Sequence, residues 1–233
     1  MLFRQLFDEA TWTYTYLIAD PNTKEAILVD PVAEQVERDL RILKELGLTL
    51  RYCLETHIHA DHITGTGKLR DATGCLGVVP AGAQAVCADR VMRDGEVLQL
   101  GSLRIEAIAT LGHTDSHVAY LVNGTHLLTG DSLLIRGCGR TDFQSGNAGA
   151  MYDAITQRLF TLPDETLVYP GHDYKGETVS TIGEEKQWNP RFVGQTRESF
   201  IDLMANLNLP NPKKIMEAVP ANQECGKVAI AAR

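Results

Sequence analysis

The stretch His57-Ile58-His59-Ala60-Asp61-His62 constrains this chain more than any other. It sets three imidazoles and one carboxylate within six residues. It directly follows a strand-like run from Leu48 to Thr56, so several nitrogen and oxygen donors arrive together at one strand end. Such donors suit Zn(II), Mn(II) or Fe(II). A lone histidine in an exposed loop carries no such message, but four candidate ligands at this spacing point to a metal.

The remaining chain supplies further strand ends. Leu2 to Phe7 and Thr11 to Ile18 read as strands, the second rich in β-branched and aromatic residues. Ala26 to Asp30 is a short apolar strand ending in a carboxylate. Val36, Leu40, Leu43 and Leu46 then share one helix face, and Gly47 stands where a helix C-cap belongs. Strand, helix, strand and then ligands at the C-terminal strand end is the usual arrangement of an α/β sheet. Beyond the motif a helix is expected over 66–73, a strand over 75–79 and paired strands over 96–100 and 103–109. Residues 118–122 and 125–129 flank Asn123-Gly124 as a hairpin, a helix is expected over 151–160, and a strand over 166–169. Four strand ends thus deliver His57 and its neighbours, His113, Asp131 and His172. The segment after Gly183 carries Pro190, Pro210, Pro212 and Pro220, with a helix over 196–207, and reads as a tail that wraps the rest. One domain over 1–233 is expected, with its core over about 11–175 and the wrapping segment over about 184–233.

Composition narrows the partners. A net charge of −8 without a long basic run argues against nucleic acid or an anionic membrane. An anionic small substrate would then depend on particular arginines. No apolar run approaches the roughly 18 residues of a membrane-spanning helix, and the N-terminus shows no signal-peptide pattern. The five cysteines (Cys53, Cys75, Cys87, Cys138 and Cys225) are odd in number and scattered, with no CxxC pair. They read as unpaired thiols in a reducing cytoplasm.

The order HxHxDH, then His113 after Gly112, then Gly130-Asp131, then Gly171-His172 resembles the metallo-β-lactamase superfamily. That resemblance covers residues 11 to 175 and implies an α/β fold, the αββα sandwich of two mixed sheets flanked by helices, with metal at one edge of the sheets. Two members of the superfamily compete. In a dinuclear hydrolase of the glyoxalase II (hydroxyacylglutathione hydrolase) type, His57, His59 and His113 would hold one metal, Asp61, His62 and His172 the other, with Asp131 bridging. Every one of those ligands is present. More specific is the run Gly130-Asp131-Ser132-Leu133-Leu134-Ile135-Arg136-Gly137-Cys138-Gly139-Arg140-Thr141-Asp142-Phe143-Gln144. With Pro170-Gly171-His172-Asp173-Tyr174, Asn189-Pro190-Arg191 and Asn222-Gln223-Glu224-Cys225-Gly226, it is similar to the persulfide dioxygenases, the group that includes the ETHE-type sulfur dioxygenases. The chain also lacks the roughly 80-residue helical extension expected of a glyoxalase II substrate domain.

This second resemblance implies oxidation of glutathione persulfide with O2 and water to sulfite and glutathione at one Fe(II) per chain. It implies a homodimer as well. The implied iron ligands are His57, His113 and Asp131, with His59, Asp61, His62 and His172 around them. A two-histidine, one-carboxylate set leaves positions open for substrate and O2. Spacing alone would have favoured two metals. The implied glutathione site is Arg140, Tyr174 and Arg191, with Thr129 and Cys138 close by, since a guanidinium pairs bidentately with a carboxylate. His117 and His126 match no metal position, and Cys138 reads equally as a reactive thiol or a buried inert one.

Overall fold

A computed structural model gives the fold and describes residues 1–207 and 214–226. Two six-stranded sheets face each other. The first runs β1 (Leu2–Asp8), β2 (Thr13–Ala19), β3 (Glu25–Val29), β4 (Thr49–Leu54), β5 (Leu76–Pro80) and β6 (Arg90–Met92). The second runs β12 (Ser180–Thr181), β11 (Leu167–Pro170), β10 (His126–Gly130), β9 (Val118–Val122), β8 (Leu103–Ala109) and β7 (Val97–Leu100). Both are mixed: β3 to β6 are parallel in the first sheet, and β10 pairs parallel with β11 in the second.

Strand alternation builds the layers. Tyr14, Tyr16 and Ile18 of β2 point between the sheets, where they meet Leu98, Leu103, Ile105 and Tyr120. Leu17 and Ala19 point the other way, onto Val36 and Leu43 of α1 (Val36–Glu45) and Leu69 of α2 (Thr66–Thr73). The second sheet likewise turns Ala119, Leu121 and Leu127 outward, onto α3 (Ala148–Ala154), α4 (Ile182–Trp188) and α5 (Arg197–Ala205). Each fully buried Leu, Ile or Phe contributes about 1.5–3 kcal/mol, so the paired sheets are held on both faces. The αββα sandwich of two mixed sheets is confirmed.

The elements differ from the expected ones in informative ways. Helix α3 begins at Ala148 rather than Met151 because the Asn147 side chain caps it, accepting from the Ala150 N–H at 2.9 Å. It continues as a π-helical turn over Ile155–Leu159. In the segment that begins about Gly183, α4 and α5 pack on the second sheet. The final helix, α6 (Ile215–Gln223), touches Ile63 and Ala33 beside the HxHxDH motif instead. Pro210 and Pro212 lie outside the described residues. The expectation of five unpaired thiols is not met: Cys87 and Cys225 form a disulfide across 138 residues, a separation at which sequence spacing carries no signal. Cys53, Cys75 and Cys138 are free. Among the described residues no helix is long and apolar enough to cross a membrane.

Candidate metal centre

Both sheets deliver their strand ends to one edge. His57 lies just past β4, His113 past β8, Asp131 directly after β10 and His172 just past β11. A register shift between Leu128 and Gly130 bends β10 as it leaves the sheet. Gly130 follows at φ +49°, and a Cβ there would stand 2.6 Å from Thr56 Oγ1 and 2.7 Å from His117 Nε2. Glycine is therefore required where the chain turns to present Asp131.

One donor atom each from His57, His113 and Asp131 lies within 4.8 Å of the others. The outer hydrogen bonds decide which atoms these are. Thr56 Oγ1 donates to Asp30 at 2.8 Å, so its 2.9 Å contact with His57 Nδ1 requires the proton on that nitrogen. His57 Nε2 is left with its lone pair. His113 Nδ1 donates to the Arg140 carbonyl at 2.7 Å, which likewise frees Nε2, 3.6 Å from Asp131 Oδ2. Asp131 Oδ1 accepts from His172 Nδ1 at 2.6 Å, leaving Oδ2 for the centre. Outer partners that fix tautomer and ring orientation in this way are typical of metal ligands. Burial, with His59, His113 and His117 nearby, holds the His57 pKa well below the ordinary range, so the ring is neutral as a ligand must be. The donor set fits a divalent transition metal.

The remaining motif residues form a second tier. His172 is bound on both sides, with Nε2 3.0 Å from Asp61 Oδ2. Burial works against its charge, but Asp131 and Asp61 outweigh burial and raise its pKa well above the usual histidine range. Both carboxylates are correspondingly held low: burial pushes each up, and His172, joined at Asp61 by His62, overrides it. His62 Nδ1 also donates to Asp61 at 2.8 Å, and His59 Nε2 lies 3.1 Å from Asp30 Oδ1. His59, Asp61 and His62 offer a second donor group within 4.8 Å, and the buried His59 Nδ1 and His62 Nε2 have no hydrogen-bond partner among the described residues.

The proposed substrate residues are spread more widely. Tyr174 is 61% exposed and its ring lies parallel to His172 at 6.1 Å. Arg140 holds Asp142 bidentately at 2.7 and 2.8 Å and lies over the Phe143 ring. Arg191 lies near enough to Cys138 to lower that thiol, but burial dominates and pushes it up to about 12. Cys138 Sγ faces Met204 on the helix side at 3.8 Å. The Thr129 hydroxyl is buried against the carbonyls of Leu133 (2.6 Å) and Tyr169 (3.2 Å). A cleft beside Ile58, Thr114 and Gln144 is lined by the Asp115 carboxylate and, among the described residues, by no cationic side chain, so carboxylates would find no ion-pair partner there.

Several working residues escaped the sequence reading. Asp30 anchors Thr56 and His59; its place at a strand end was visible, but its partners were not. His117 accepts from the Asp131 backbone N–H at 3.0 Å, and burial together with His113 pushes its pKa down to about 3, which keeps it neutral for that purpose. Its position four residues after His113 was the available clue. His126, by contrast, stacks on Tyr169 at 5.6 Å and is structural.

The model of the metallo-beta-lactamase superfamily matches residues 13–172. The mitochondrial persulfide dioxygenase ETHE1 of Homo sapiens is 48% identical, over 97% of this chain and 89% of its own length. The crystal structure of ETHE1 from Myxococcus xanthus superposes with a TM-score of 0.95 at 56% identity, covering 97% of this chain and 100% of that one. A hydroxyacylglutathione hydrolase of Polaromonas sp. is more distant, 30% identical over 84% of this chain and 91% of its own length. The chain belongs to the metallo-beta-lactamase superfamily and, within it, to the family of the persulfide dioxygenases ETHE1.

Proposed function

We propose that this protein is a persulfide dioxygenase, converting glutathione persulfide, O2 and water to sulfite and glutathione at one Fe(II) held by His57, His113 and Asp131. The observation that carries the single-metal reading is His172, whose two ring nitrogens are both engaged by carboxylates. To serve a second metal the ring would have to give up its Nε2 proton and the bond to Asp61. Fe(II) would supply open coordination positions and the electrons with which O2 and a persulfide sulfur react. The chain's own residues do the rest. Thr56 and the Arg140 carbonyl orient the two imidazoles, and His172 and His117 fix Asp131 from opposite ends.

Glutathione brings two carboxylates. Arg140 and Arg191 take them, Arg140 by sharing or exchanging Asp142, and Tyr174 donates a further hydrogen bond. Thr129 and Cys138 shape the wall behind. The chain acts as one domain, as a homodimer, in the cytoplasm; sedimentation of the holoprotein and fractionation of cells test the last two. The deciding experiment is metal analysis of anaerobically purified protein together with O2 uptake on glutathione persulfide. One iron per chain and stoichiometric uptake are expected, and two metals without uptake would reject the reading. Arg140→Ala is expected to raise KM about tenfold with little change in kcat.

A dinuclear thioester hydrolase is the second reading, favoured by the unpartnered His59 Nδ1 and His62 Nε2. It requires hydrolysis of S-lactoylglutathione without O2.

A further inference from the structure

We propose that Asn222 is a positioning residue for the HxHxDH segment, and that the Cys87–Cys225 disulfide holds it in place, so that the thiol–disulfide state of this pair sets how tightly the metal is kept. The inference rests on the metal at His57, His113 and Asp131 but not on the reaction performed there.

The geometry is specific. Asn222, 4% exposed on α6, donates from Nδ2 to the carbonyls of His59 and His62, each at 2.9 Å. Its Oδ1 accepts from the Thr64 N–H at 2.8 Å. One side-chain amide thereby ties three backbone groups of the loop that presents His57, with every bond in the direction a primary amide allows. Three residues on, the Cys225 carbonyl accepts from the Gly67 N–H at 3.0 Å. A Cβ at Gly67 would collide with that carbonyl, and one at Gly226 with the carbonyl of Thr64. The chain around Cys225 is thus laid directly on the segment behind the motif.

Among the described residues, the apolar anchoring of α6 is slight. Its buried apolar contact consists of Ala218 and Ala221 against Ala33 and Ile63. No side chain caps its N-terminus, and Pro220 interrupts its hydrogen bonding. On the far side, the Val86 N–H donates to the Gln223 carbonyl at 3.1 Å, and Cys87 is bonded to Cys225. The disulfide is the strong link between α6 and the 81–89 segment. Cutting it leaves α6 held by small side chains, the exposed Lys214–Glu34 ion pair at 3.2 Å and the hydrogen bonds of Asn222 and Cys225 themselves.

The pair is chemically addressable. Cys87 is half-buried, whereas Cys225 is 4% exposed. A low-molecular-weight thiol attacks Cys87 Sγ as its thiolate, the Cys87–Cys225 bond breaks, and Cys225 leaves as a thiolate that takes a proton from water. A second thiol then cleaves the mixed disulfide at Cys87. Two thiols are oxidised to one disulfide and the protein disulfide is reduced to two thiols. Cys225, next to the loop that Asn222 holds, is the half released.

The test reads metal binding, so its failure is separate from failure of the dioxygenase reading. Thiol titration of unfolded protein is expected to find the three free cysteines before reduction and all five after it. Fe(II) affinity is then measured under argon by competition with a chelator. The disulfide form is expected to hold Fe(II) about tenfold more tightly than the reduced form or Cys87→Ser. Asn222→Asp, which keeps the acceptor and loses both donor bonds, should bind about tenfold more weakly and lose the dependence on redox state. Should Asn222→Asp not fold, oxidised and reduced native protein decide the matter alone. Equal affinity in those two states, or five titratable thiols without reductant, overturns the proposal.

Discussion

Replacing His172 tests the site most sharply, because asparagine and glutamine separate its two bonds. The Nδ2 of asparagine stands close to where Nδ1 of the imidazole stood, so His172→Asn should keep the bond to Asp131 and lose the one to Asp61. Glutamine reaches further and should keep Asp61 at the expense of Asp131. Either change removes a positive charge from between two carboxylates, with the His172 side chain 3% and Asp131 14% exposed. Stranding buried charge in this way costs about 3–5 kcal/mol in the apoprotein. For a chain of this size that is a fall in Tm of about 6–20 °C. The sign with pH follows from the directions of the shifts. The raised pKa of His172 gives a contribution complete below the ordinary histidine range and lost as pH rises through the raised value. The lowered pKa values of Asp131 and Asp61 give one complete above the ordinary carboxylate range and lost as pH falls through the depressed values. Wild-type apoprotein therefore has its stability plateau at mildly acidic pH, between the ordinary carboxylate and histidine ranges, and the variants lower it. Metal content should remain one per chain in both, with affinity down about tenfold in His172→Gln and less in His172→Asn. Calorimetry of apoprotein and metal analysis of holoprotein measure the two effects. A drop from two metals to one in either variant would refute the single-metal reading, and unchanged stability would refute the charge argument.

Three further outcomes are expected elsewhere. Burial pushes the Asp39 carboxyl on α1 up to about 6 against the pull of Arg38, so ionising it in the folded state is unfavourable and the stability present at low pH is lost as pH rises through that value. Asp39→Asn should therefore stabilise the protein by about 2–3 kcal/mol at pH 7 and by almost nothing near pH 4, and urea melts showing no gain at pH 7 would refute this. Cys138, pushed up to about 12 by burial, should react with iodoacetamide roughly a thousandfold more slowly at neutral pH than an ordinary thiol, as mass spectrometry of the labelled peptide will show. Gly130→Ala places a methyl group against Thr56 and His117 at positive φ and should cost about 3 kcal/mol by denaturant melt while weakening metal binding.

The legible part of this protein is the part written in short-range patterns. Alternation in Thr13–Ala19, the heptad-like face of α1 and the Asn123-Gly124 hairpin each depend on residues a few places apart, and each element lies where its pattern puts it. The strand ends carrying His57, His113, Asp131 and His172 were legible for the same reason. The contacts that set their chemistry were not. Asp30 reaches Thr56 across 26 residues, His113 reaches the Arg140 carbonyl across 27, and Asn222 reaches His59 across 163. No local periodicity encodes a partner at that range. The expectation of unpaired thiols failed on the same ground, because Cys87 and Cys225 stand 138 residues apart in sequence.

The six residues from His57 to His62 could supply donors to one metal or two, and their identities do not decide which. The decision lies with whatever occupies the nitrogens and oxygens facing away from the centre. Asp61 accepts from His62 and His172, and His59 Nε2 faces Asp30 and Glu55, so Asp61 and one nitrogen of each ring are already engaged by neighbouring side chains. Glu55 is in turn fixed by hydroxyl donors from Thr64 and Thr66 at 2.5 Å each. A second metal would have to displace the His172 proton and draw Asp61 from two donors at once. That cost is set by residues on β3, β4, β10 and β11 acting together. Metal number in this chain is then a property of the hydrogen-bond network around the motif, and point changes at Asp30 or Glu55 should move it more readily than changes within the motif itself.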